Sequence, residues 1–141
     1  MLLFITIDML HRFHHYCIQF LPNEVFALLV GSQIDRDICV TNFVHPRIVH
    51  ASESHVLADW EDVFRKAEQY YTVGFVHTHP DENSTVRMSK NDVEFHKYMA
   101  ERFLKQFGRR PYFLIYAPYP GIFAIYDETK PFTDYQIIQR I

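Results

Sequence analysis

The stretch "GFVHTHPDENSTVRMSKNDVEF", residues 74–95, gathers side chains that often do chemistry: His77 and His79 one residue apart, then Ser89 and Asp92. On a strand, alternation puts Val73, Phe75, His77 and His79 on one face, with Gly74, Val76 and Thr78 on the other. Residues two apart on a strand are about 6.5–7 Å apart at Cα. Two imidazoles at that spacing can converge on one ion with metal–nitrogen bonds of about 2.0–2.1 Å. Asp92, just beyond, can add a carboxylate oxygen. Two histidines and one carboxylate leave a fourth tetrahedral position open, which a catalytic zinc requires and a structural zinc does not.

The same residues have a plainer reading. Ser89-x-x-Asp92 ahead of an apolar-periodic run is a helix-capping pattern, and His-x-His is a common polar strand end. Capping and ligation are compatible, because a fixed helix start also fixes the Asp92 backbone. A site that activates water needs, in addition, a group that accepts the proton and hands it on. Glu24 opens the run "EVFALLVG" directly after Pro22 and Asn23, and an acid at the mouth of an apolar strand can fill that role. A lone Glu in such a place is otherwise simply solvated.

The elements that must position these residues can be read from apolar spacing. "LLFITI" is a short β-rich run, and from Met9 onward Leu10, Phe13, Cys17, Phe20 and Leu21 mark a helical stripe that stops before Pro22. "EVFALLVG" is a central strand ending at Gly31, followed by the polar turn "SQIDRD" and a strand "ICVTNFV" that ends at His45-Pro46. Leu57, Trp60, Phe64, Ala67 and Tyr71 predict a helix, and "TVGFVH" the strand that carries the histidine pair. A long helix from Ser89 presents Phe95, Met99, Phe103 and Phe107 and ends at Gly108. "YFLIYAP" and "GIFAIYD" make a hairpin around Tyr119-Pro120-Gly121, and "TDYQIIQRI" a weak strand or short helix. The order β-α-β-β-α-β-α-β-β predicts an α/β fold, a single mixed sheet sandwiched by helices.

Taken together, Glu24 before "VFALLVG", "HTHP" at 77–80 and "SKND" at 89–92 resemble the signature of the JAMM (MPN-type) zinc metalloproteases. That family includes isopeptidases that remove ubiquitin-like modifiers. The element order from residue 2 to 126 is similar to the family's, so the resemblance covers most of the chain. It implies a single JAMM/MPN domain over 1–141 with a cytidine-deaminase-like architecture. It implies one zinc per chain on His77, His79 and Asp92, with Glu24 as general base and then proton donor to the leaving amine. Ser89 would donate to the oxyanion of the tetrahedral intermediate. The implied activity is hydrolysis of the amide after the C-terminal tail of a ubiquitin-like or sulfur-carrier-like protein, held by strand addition. A non-catalytic MPN-type scaffold and a metal hydrolase of small amide or cysteine adducts are the alternatives. The spacer from Pro80 to Met88 is two residues longer than the family's usual one, which is expected to bulge without moving the helix start.

Composition sets the outer bounds. At 141 residues the chain has the length of one domain. A hydrophobic fraction of 48% with 16% aromatics describes a packed core and excludes a disordered chain. Net charge is −3 with scattered Lys and Arg, so no nucleic-acid partner is expected. Cys17 and Cys39 fit no metal spacing and are expected to be buried free thiols. The apolar N-terminus has no basic leader region and no run reaches the ~18 residues of a membrane helix, so no membrane and a cytoplasmic location are expected. His45, His50 and His55 in "HPRIVHASESH" are expected to be solvated loop residues, since five-residue spacing suits no ligand set.

Overall fold

The apolar runs become strands of one sheet. In a computed structural model of the chain, the residues described are 3–35, 37–80, 86, 88–119, 121–126 and 135–139. Their order is β1 (Leu3–Ile5), α1 (Ile7–Phe20), β2 (Phe26–Ile34), β3 (Asp37–Val44), β4 (Ile48–Ala51), β5 (Val56–Ala58), α2 (Trp60–Gln69) and β6 (Thr72–Thr78). Then come α3 (Lys90–Phe107), β7 (Tyr112–Ala117), β8 (Ile122–Tyr126) and β9 (Tyr135–Gln139). The main sheet has seven strands in the order β1-β3-β2-β6-β7-β8-β9. It is mixed: β1/β3 and β6/β7 are parallel and the other pairs antiparallel. A parallel neighbour needs a crossover connection, and α3 supplies it between β6 and β7.

Each face of the sheet is covered by helix. Phe26 and Leu28 of β2 and Phe75 of β6 pack with Val63 and Phe64 of α2 and Met99 and Phe103 of α3. On the other face Ala27, Leu29 and Val76 pack with Met9, Leu10, Phe13 and Cys17 of α1. The α/β class with a mixed sheet between helices is therefore as expected.

Several local expectations need correcting. The segment 48–58, read as loop and helix start, forms an antiparallel pair β4/β5. Leu57 thus belongs to β5, α2 begins at Trp60, and Tyr71 lies beyond its end. The signal that outweighs apolar spacing there is Asp59, an N-cap whose carboxylate accepts from the Glu61 and Asp62 amides. Val73 is not on the face of Phe75: pairing with β2 steps from Gly74↔Leu29 to Thr72↔Val30, and the skipped Val73 packs with Val76. β2 runs past Gly31 to Ile34, because residues 32–34 pair with β3 and Asp35 turns the chain at a φ of 54°. Ile7 is helical, since Thr6 caps α1 by accepting from the Met9 amide. The last segment resolves to a strand, paired with β8. Cys17 is buried but Cys39 only half-buried. Among the described residues no helix is long and apolar enough to cross a membrane.

Candidate metal centre

The histidine pair sits where β6 runs out between two neighbours. β2 is antiparallel to β6, so the start of one lies beside the end of the other, with Phe26 opposite His77. The Val25 amide donates to Thr78 Oγ1 (2.8 Å) and the Thr78 amide donates to the Val25 carbonyl (3.0 Å). On the other side the His79 amide donates to the Tyr116 carbonyl of β7 (3.0 Å). Gly74 allows β7 to come close, because a Cβ there would stand 2.4 Å from the Tyr112 carbonyl oxygen. Both imidazoles thus hang from backbone fixed on two sides.

Asp92 arrives on α3. Ser89 is the N-cap, its hydroxyl oxygen accepting from the Asp92 amide (3.1 Å), while the Ser89 amide donates to Asp92 Oδ2 (2.8 Å). Just ahead of the helix, the Tyr126 hydroxyl donates to the carbonyl of buried Val86 and tethers the incoming chain to β8. The capping pattern is therefore real, and it aims the same carboxylate at the histidines. Asp92 Oδ1 is 3.1 Å from His77 Nε2, and Oδ2 is 3.2 Å from His79 Nε2. One nitrogen from each imidazole and one Asp92 oxygen lie within 4.8 Å of one another, and this group can hold a metal ion.

Two observations favour a cation there. His77 Nε2 is buried and, despite its distance from Asp92, has no hydrogen bond of acceptable geometry. Leaving such a group unsatisfied costs about 1–3 kcal/mol, which a ligated cation relieves. The donor set is also chemically apt, since imidazole with carboxylate suits divalent transition metals. Burial opposes charge on Asp92, but contacts with His77 and His79 and the Ser89 amide outweigh it and hold the carboxyl well below the usual range.

Glu24, one residue before the pinned Val25, opens into the same cleft, a space of about 470 Å³ that His77, His79, Ser89 and Asp92 also line. Its amide donates to the Ser52 carbonyl (2.7 Å), which ties it to the β4/β5 segment. Burial pushes its carboxyl pKa up, with the charge of His77 and His79 pulling the other way. All five residues singled out from the sequence share one cleft.

Two contributors escaped the sequence reading. His96 lies one helical turn after Asp92, buried, stacked on Phe113 (centroids 4.2 Å apart) and edge-on to His77 (5.8 Å). Burial, with the His77 charge, lowers its pKa to about 3, so it stays neutral. Its position on the stripe Asp92, His96, Met99, Phe103 was a usable signal. The second is the β4/β5 hairpin, which brings His55, Val56 and Leu57 to the cleft wall. His45, His50 and His55 are exposed as expected, but they belong to or flank a hairpin and not a loop. The expectation of a bulge in the 80–88 spacer falls largely on residues 81–85 and 87, outside the described residues.

No protein-family model matches the chain, and no curated protein does. Its fold is similar to the solution structure of protein DSY2949 from Desulfitobacterium hafniense, with a TM-score of 0.67 at 16% identity, covering 100% of this chain and 92% of that one. At that identity the likeness speaks for the fold alone.

Proposed function

We propose that the chain is a zinc-dependent amide hydrolase of JAMM/MPN architecture, a metallopeptidase or isopeptidase acting in the cytoplasm. Its substrate is the C-terminal tail of a ubiquitin-like or sulfur-carrier-like protein. The observation that carries this reading is the meeting of Glu24 with His77, His79 and Asp92 in one cleft. A three-ligand cluster with an open position can activate a water, and a carboxylate beside it in the same cleft adds the means to move a proton.

Zinc, when held by His77, His79 and Asp92, supplies Lewis-acid polarisation and a water made acidic enough to attack at neutral pH. The chain's own residues do the rest. Glu24 accepts a proton as the water oxygen bonds to the amide carbon, then delivers it to the nitrogen as the carbon–nitrogen bond breaks. Ser89 uses an oxygen lone pair for its capping bond, which leaves its O–H free to donate to the developing oxyanion. An extended tail adds as a strand along β5, which reaches the cleft at Val56 and Leu57.

The test pairs metal content with turnover. Zinc-loaded protein should cut a ubiquitin-like carrier fused through a Gly-Gly amide to a reporter. Glu24→Gln should keep its zinc and lose about 10²–10⁴-fold in rate, the size of a missing general base. If Glu24→Gln cuts as fast as the parent, Glu24 is not the base. Should both proteins bind a carrier tightly and cut none, the scaffold reading replaces this one.

A further inference from the structure

The cleft has one wall that amide hydrolysis does not explain. Trp60 opens α2, Phe95 lies one turn beyond Asp92 on α3, and Val56 comes from β5. Beneath them is buried Phe26 of β2, with ring centroids 5.9 Å from both Trp60 and Phe95, edge-on to each. Trp60 and Phe95 are 5.4 Å apart and tilted by 35°. Phe26 belongs to the core, whereas Trp60, Phe95 and Val56 pack on it while remaining half-buried, so apolar surface faces the cleft. Half-covered aromatics in a concavity beside convergent polar groups are the common form of a ligand pocket.

Charge narrows the occupant. Glu24, Glu53 and Asp92 line the cleft, and no Lys or Arg does among the described residues. An acidic side chain finds no Lys or Arg to pair with on that wall among the described residues and meets Glu24 and Glu53 instead, and a glycine leaves the aromatic wall in water. An uncharged apolar side chain has something to bury against.

We propose that Trp60, Phe95 and Val56 form a substrate subsite that seats a bulky, uncharged apolar side chain flanking the amide cut beside His77, His79 and Asp92. This rests on the hydrolase reading and narrows it: a Gly-Gly carrier with no apolar side chain beside the scissile amide is cut slowly, and one with a Leu or Phe beside that amide is cut well.

Trp60 is the chain's single tryptophan, so its emission reports the subsite without any turnover. Chelator-treated and zinc-loaded protein are each titrated with blocked peptide amides identical except for one Leu, Phe, Gly or Asp. Saturable changes in emission are expected for Leu and Phe at concentrations about tenfold or more below those for Gly and Asp, the size that burying a few methylene groups gives. With zinc, kcat/KM should follow the same order. Phe95→Ala keeps the tryptophan and should erase the ranking mainly through KM. Val56→Thr is a milder change that keeps the hairpin and should reduce the ranking in the same direction. Cleavage without preference, or a preference that survives both variants in folded protein, overturns the subsite and leaves the hydrolase reading intact. Ranked binding with no cleavage of any peptide or of the Gly-Gly carrier fusion overturns the hydrolase reading and leaves the subsite standing. An emission unmoved by every peptide overturns the subsite directly.

Discussion

The two faces of the sheet are built from the same strands and have opposite characters. On the α1 face, Leu29, Val76 and Leu114 close over Met9, Phe13 and Cys17, and the buried Tyr116 hydroxyl is hydrogen-bonded to His14 Nδ1. Burial pushes the Cys17 thiol pKa up, which keeps it inert. The α2/α3 face begins the same way with Leu28 and Phe75, but at the end of β6 its apolar packing gives way to His77 and, across from it, His96. Both carry a buried nitrogen without a hydrogen-bond partner. A face that completes its own polar contacts is a core. One that stops short, with a carboxylate and two imidazoles at the gap, can hold a metal ion.

The difference can be tested by damaging each face in turn. The largest effect should come from His77→Ala or Asp92→Ala, each of which removes one ligand and should abolish retention of zinc through dialysis, read by metal analysis. The parent should bind one zinc per chain, with affinity falling steeply toward acid pH as protons take the imidazoles. A parent that takes up no metal after chelator treatment and reloading would dismiss the centre altogether.

Ser89→Ala comes next. It removes the capping acceptor and the hydroxyl donor together, so turnover should fall by about 10²–10³-fold and stability by about 0.5–2 kcal/mol. Unchanged turnover with reduced stability would leave Ser89 as a cap only.

His96 offers a pH test of the site-bearing face. Its folded pKa, about 3, lies below the ordinary value of 6.5. Across that window the unfolded chain binds the extra proton, so stability present above pH ~6.5 is lost as pH falls toward the folded value. At roughly 1.4 kcal/mol per unit the full loss is several kcal/mol. His96→Phe should flatten that acid limb in denaturant titrations of metal-free protein; an unchanged limb would place the loss elsewhere. The smallest effect belongs to the other face. Ile38→Val trims a buried methylene packed near α1 and should cost about 0.5–1.5 kcal/mol, with zinc content and turnover untouched. A change in either would mean that the two faces are coupled through the sheet.

How much of this was legible in the sequence follows from what kind of information each feature needs. Local periodicity and caps are written in neighbouring residues, so α1, α3, β6 and the Ser89 capping box could be read directly. Glu24, His77, His79, Ser89 and Asp92 could be singled out by residue type and spacing along the chain. Register is not local. Whether Val73 follows Phe75 or crosses to the other face depends on which β2 residue it opposes, and a skipped residue leaves no mark in an apolar run. The segment 48–58 has mixed apolar spacing; its strands pair with each other, Asp59 starts α2 directly after them, and the Asp62 carboxylate accepts from the Arg47 amide at the hairpin's base (2.7 Å). His96 is not part of the stripe read from Phe95, Met99, Phe103 and Phe107, and only packing sets it against His77. The sequence by itself determined which residues can ligate and where α3 begins. Only the tertiary structure decided that antiparallel pairing of β2 with β6 brings Glu24 to the histidines, and that three separate elements wall one cleft with aromatic side chains, because contacts between distant segments are fixed by the packing of the whole sheet.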